Sequence, residues 1–123
     1  MTPKRPYLLR AFHDWLIDNE ETPYISVDAV AAKASVPEAA VTDGIVVLNI
    51  SNLAVESLDI GRDAVSFYCR FDGVRTTIKL PMCSILAIYG KESGQGLEFD
   101  EQEYLDESEL VAKEKSETQL RLV

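Results

Sequence analysis

At 123 residues the chain is long enough for one domain with a real core and too short for two ordinary ones. Hydrophobic residues make up 46 % and charged residues 27 %, a balance that excludes a disordered or fibrous chain and suits a globular one. With 12 basic against 21 acidic residues the net charge is -9, which offers no electrostatic footprint for a phosphate backbone, so no nucleic-acid partner is expected.

The charge is unevenly placed. Residues 1–97 carry 12 acids and 9 bases, whereas 98–123 carry 9 acids and 3 bases, so most of the excess sits in the last fifth of the chain. The longest apolar stretches, 45–48 and 85–89, fall far short of the roughly 20 residues that cross a bilayer. Residues at the N-terminus lack a signal-peptide h-region, so the expected location is the cytoplasm, with no membrane partner. Cys69 and Cys83 each lie in an apolar segment and read as two buried, reduced thiols rather than a disulfide or a zinc site.

The first element is a helix over 5–19, because Pro6 suits a first-turn position and good helix formers follow. Its apolar arc is wide. Leu8, Phe12 and Trp15 mark one side with Ile17 beside them, Leu9 and Leu16 extend it, and Tyr7 and Ala11 widen it further. One sheet contact cannot cover so broad a surface, so the helix is expected to pack also on its copy in a homodimer through Tyr7, Leu8, Ala11, Phe12 and Trp15. The alternative is a helix wholly absorbed into one monomer.

After the turn signal at 19–23 the period changes to alternation, and a first strand is predicted over 24–29. Further strands are predicted over 45–50, 64–71, 74–80 and 86–90, with Asp43-Gly44 and Asp72-Gly73 as turn signals. Pro81 interrupts the β-pattern, and 82–85 read as a short turn. One N-terminal helix followed by about five short strands predicts a mainly β fold, a small strongly bent sheet or open barrel.

Composition shifts again at about Asp100. Residues 100–119 are acidic and polar and bury too little to offset chain entropy, so a mobile linker is expected. Leu120, Arg121, Leu122 and Val123 close the chain, the layout of a tethered docking motif or a chance cluster.

No constellation for catalysis or metal binding is found, and no cofactor is expected. His13, the single histidine, reads as a surface residue on the polar flank of the helix. A Gly-x-Ser-x-Gly elbow is absent, and Gly94-Gln95-Gly96 reads as a turn because Glu98 and Asp100 follow where a phosphate loop would need a lysine. The acidic clusters at 20–21 and 101–109 have nothing to desolvate them and read as solvated charge. One segment suits a ligand. In 67–71, alternation sends Phe67, Cys69 and Phe71 to one face and Tyr68 and Arg70 to the other, an aromatic ring beside a guanidinium. That pattern fits either an extended peptide site or an ordinary amphipathic strand.

Several stretches together resemble the stringent starvation protein B (SspB) family, adaptors of the ClpXP protease. They are Pro3-Lys4-Arg5-Pro6-Tyr7-Leu8-Leu9-Arg10-Ala11-Phe12 with Trp15, Asp18 and Asn19; Thr22-Pro23-Tyr24; Asp43-Gly44 with Val47-Leu48-Asn49; Phe67, Arg70 and Phe71; and Leu86-Ala87-Ile88-Tyr89 followed by Glu92 and Gly94. Order and spacing hold from about residue 2 to 105, which divides the chain into a peptide-binding and dimerisation domain over 1–105 and an acidic linker with a terminal motif over 106–123.

The resemblance implies an Sm-like small barrel, homodimerisation through the first helix, and a groove for part of the ssrA degradation tag. By the same resemblance Ala54, Val55, Phe67, Tyr68, Cys69 and Arg70 would form that groove, and Leu120, Arg121, Leu122 and Val123 would dock on the zinc-binding domain of ClpX. Tyr68 and Cys69 depart from the smaller or more polar residues of the family, commonly Asn and Ala. The linker is short for the family, and the chain ends in valine without a final lysine. The Sm-like fold also leaves an RNA-binding alternative, which the acidic body disfavours.

Overall fold

A computed structural model describes residues 2–32 and 41–99. Helix α1 spans Arg5–Asp18, with Pro6 in its first turn, where a missing N–H costs no hydrogen bond. It ends as Asn19 donates its side-chain amide to the Trp15 carbonyl at 2.8 Å, and Glu20 turns the chain with φ 60°. Strand β1 (Pro23–Asp28) follows, then a single helical turn, α2 (Ala29–Ala32), which takes Ala29 out of the predicted strand. Asp28 caps α2 by accepting from the backbone N–H of Val30 at 3.0 Å.

Strands β2 (Ile45–Asn49), β3 (Glu56–Ile60), β4 (Ala64–Phe71) and β5 (Val74–Pro81) come next. A 3-10 turn at Met82–Ser84 leads to β6 (Ile85–Gly90) and a short β7 (Gly96–Glu98). They form two open antiparallel sheets, ordered β2-β1-β6-β7 and β3-β4-β5. The expected mainly β architecture with an N-terminal helix is therefore present, with seven strands where the alternation predicted five.

Both Asp-Gly turns do what their chemistry dictates. Asp43 and Gly44 have φ 52° and 77°, and Asp72 and Gly73 have φ 51° and 80°, the paired positive angles that a two-residue hairpin turn needs. The second of these aligns β4 with β5 residue by residue, Phe71 opposite Val74, Arg70 opposite Arg75 and Tyr68 opposite Thr77.

Inward residues of both sheets meet in one core that includes Ile25, Val27, Val46, Leu48, Val65, Phe67, Ile78, Leu80 and Ile88. Leu9 and Leu16 of α1 enter it at 0 % and 1 % exposure, each contributing about 1.5–3 kcal/mol of apolar burial, and buried Pro6 and half-buried Phe12 add to the helix's attachment. Arg5 is buried with them and donates to the carbonyls of Ile85 at 2.9 Å and Cys83 at 3.3 Å, while its guanidinium lies 5.2 Å from the Phe99 ring centre.

Two carboxylates tie the α1–β1 turn to the β6–β7 turn. Glu92 accepts from the Thr22 N–H and hydroxyl, both at 2.7 Å, and Glu21 accepts from the Ser93 N–H at 2.9 Å. The backbone hydrogen bond from Thr22, then its hydroxyl, holds the Glu92 carboxyl below its ordinary value. Gly96 lies flat on Tyr89, where any Cβ would collide with the Ile88 carbonyl oxygen and the Tyr89 backbone.

Three expectations need correction. His13 is not a surface residue: its side chain is 13 % exposed, because position 13 stands four residues after Leu9 and three before Leu16, on the edge of the buried stripe. Cys83 is exposed, since the 3-10 turn buries Met82 and Ser84 on either side and rotates the residue between them outward. Cys69 is half-buried rather than buried. Among the described residues, no helix is long and apolar enough to cross a membrane.

Candidate functional site

A concavity of about 360 Å³ opens at the start of β3 and is lined by Asn52, Leu53, Ala54, Val55, Glu56, Tyr68, Cys69, Arg70 and Arg75. One wall is the turn between β2 and β3. There Asn49 accepts from the Ser51 N–H at 2.9 Å, and the N–H groups of Ala54 and Val55 both donate back to the Ser51 carbonyl, at 3.0 and 3.1 Å. This tight turn tucks Val55 into the core at 7 % exposure and leaves Leu53 fully exposed at the rim.

The other wall is the outer face of the three-stranded sheet. Glu56 of β3 stands opposite Tyr68 of β4, and Arg70 of β4 stands opposite Arg75 of β5, so all four side chains share one face. Arg75 reaches diagonally across Tyr68, its guanidinium 4.3 Å from the ring centre, and meets the Glu56 carboxylate at 3.4 Å. Arg70 turns toward the hairpin and donates to the Gly73 carbonyl at 3.3 Å.

Beside them Cys69 also lines the groove, and burial pushes its thiol pKa up, which keeps it neutral. The β3–β4 ladder is irregular between Glu56 and Asp59, where Ser57 has φ 53°. That break separates the groove end of β3 from its regular pairing further on.

Ala54, Val55, Tyr68, Cys69 and Arg70 are thus brought together by the fold. Phe67 is not: it points into the core at 2 % exposure and lines no part of the groove, as alternation along β4 requires when Tyr68 and Arg70 face out. Glu56, Arg75, Asn52 and Leu53 are groove residues the sequence did not single out. Arg75 had a signal, since a two-residue turn at Asp72-Gly73 places it opposite Arg70. Glu56 had none without knowledge of β3.

A second surface lies on α1. Tyr7 and Trp15 are 49 % and 43 % exposed, Ala11 is exposed, and Leu8 and Phe12 are half-buried. Phe12 and Trp15 pack edge to face with ring centres 5.6 Å apart, and with Ala11 they line a shallow cavity of about 340 Å³. Leu120, Arg121, Leu122, Val123 and the proposed division at 105/106 lie outside the described residues.

The sequence pattern of the Stringent starvation protein B family matches residues 3–121. The chain belongs to that family. A stringent starvation protein B homolog of Haemophilus influenzae is 47 % identical to this SspB-family chain over 106 residues, which cover 86 % of this chain and 71 % of that protein. The match takes in α1, both sheets and the groove together, so the relationship embraces the whole described fold rather than one motif.

Proposed function

We propose that this chain is a non-catalytic delivery adaptor that holds ssrA-tagged proteins by a peptide segment in the groove and hands them to ClpXP. The observation that carries this is the groove's composition: a tight turn with exposed Leu53 on one side, and on the other an aromatic ring with the Arg75 guanidinium over it and Arg70 on the same face. Such a surface suits an extended peptide, whose carbonyls and carboxylates accept from Arg70 and Arg75 while its apolar side chains rest on Tyr68 and Leu53. Family membership supports the same role.

In this mechanism no bond is made or broken. Two chains associate through Tyr7, Leu8, Ala11, Phe12 and Trp15 of α1, and Leu120, Arg121, Leu122 and Val123 engage the ClpX zinc-binding domain. Residues 106–123 act as the tether. Capture of a tag then raises its effective concentration at the protease, to the millimolar range for a short flexible linker. The site of action is the cytoplasm.

Fluorescence anisotropy of a labelled ssrA-tag peptide tests the groove. Saturable binding by the parent, weakened about tenfold in Arg70→Ala, is expected from loss of one charge-assisted hydrogen bond; no binding by the parent removes the adaptor function. Deleting residues 120–123 should leave that titration unchanged and abolish accelerated degradation at low substrate concentration. Unaltered degradation kinetics in the truncated chain would remove the tether.

A further inference from the structure

We infer that Arg75, positioned by Tyr68, is a specificity residue that selects peptides bearing a carboxylate, and that Glu56 is a built-in competitor which such a peptide displaces. The inference presupposes the peptide-binding function proposed above and adds the chemical class of the ligand.

Its first support is the charge within the groove. Residues 1–97 are net acidic, yet the groove lining carries Arg70 and Arg75 against the single acid Glu56. The two arginines hold directly opposite positions on β4 and β5, and as like charges their guanidiniums diverge, Arg70 toward the Gly73 carbonyl and Arg75 across Tyr68. Among the described residues Arg70 makes no ion pair, and its hydrogen bond goes to the neutral Gly73 carbonyl. The groove is one carboxylate short.

The second support is the way Arg75 is held. Its contact with Glu56 is a single interaction at 3.4 Å between side chains 56 % and 67 % exposed, not a bidentate fork. Pairs of this kind exchange readily with water and other anions. Stacking on Tyr68 does not depend on Glu56, so the guanidinium stays in place when its partner leaves. A peptide carboxylate entering from the open side therefore meets a pre-positioned donor and replaces an acceptor already there. Tyr68 matters for the same reason: a smaller side chain at that position would leave Arg75 without its platform.

The test uses the full chain and pairs of tag peptides in which glutamate or glutamine is placed in turn at each position. The quantity read is the ratio of Kd for the two members of a pair. At the position facing Arg75 the parent should favour glutamate about fivefold at low salt, and the preference should shrink as salt rises. Arg75→Gln should bring the ratio to about one, Arg75→Lys should restore part of it, and Glu56→Gln should raise it above the parent's. A ratio that survives Arg75→Gln, or a fall in Glu56→Gln, overturns the inference. Binding of every pair with a ratio of one overturns it while leaving the peptide groove standing. Failure of all peptides to bind overturns both.

Discussion

Three of the nine residues lining the groove are charged, whereas the cavity on α1 is lined by Ala11, Phe12 and Trp15 alone. Both are surfaces the core leaves uncovered, on opposite terms. The groove keeps its polar groups in reach of water, so a ligand there must match charges and is sensitive to salt. The α1 surface offers area without direction, and an apolar partner gains by covering it whatever the ionic strength. One protein thus carries a site suited to reversible, selective capture and a site suited to lasting association.

The sharpest way to separate these surfaces from the scaffold is to damage the scaffold first. Leu9→Ala empties a fully buried position and should cost about 2–5 kcal/mol in urea unfolding, independent of ligand. A cost below 1 kcal/mol would mean the helix is not anchored by that side chain.

Trp15→Glu, on the other side of the same helix, should cost about 2–4 kcal/mol of the proposed association instead, seen in sedimentation as loss of the proposed dimer, with the proposed tag binding per chain retained. If the parent itself sediments as a monomer, the proposed α1 interface is removed.

The smallest effect concerns neither surface but the tie between turns. Because Glu92 has a lowered pKa in the folded chain, its contribution is fully present above its ordinary value of 4.5 and is lost as pH falls through the lower folded value. Parent and Glu92→Gln should therefore differ slightly in stability at pH 7, and their unfolding curves should converge in acid. A gap that widened below pH 4 would contradict this assignment.

Much of this was legible from residue order, and the omissions have physical causes. Asp43-Gly44 announced a turn and Asp72-Gly73 a hairpin because few other pairs tolerate two positive φ angles in succession. Strand alternation gave Tyr68 and Arg70 their outward direction. It did not give β3, an edge strand with no fully buried residue, whose ladder breaks at Ser57 and whose alternation is confined to Leu58 and Ile60, too short a run for a period to stand out. With β3 went Glu56, and with Glu56 the pairing that defines Arg75. Strand β7 escaped because three residues are too few for any period to show.

His13 shows a different limit. Helical spacing locates a stripe to within one residue on either flank, and at that margin a polar side chain can be enclosed without any change in the apolar pattern.

The three-residue strand β7 has a consequence for force. A load applied beyond Phe99 would first meet the Phe99 N–H to Leu86 carbonyl bond and the Arg5 contact with the Phe99 ring, then the pairs Glu98 with Ala87, Leu97 with Ile88 and Gly96 with Tyr89. Because β7 is the outer strand, a pull directed across the strands loads its bonds one at a time and unzips it. Strand β6, held on its other side by β1, keeps its pairing. Under such a pull the edge strand acts as a mechanical fuse, parting from β6 while the β1–β6 ladder stays paired.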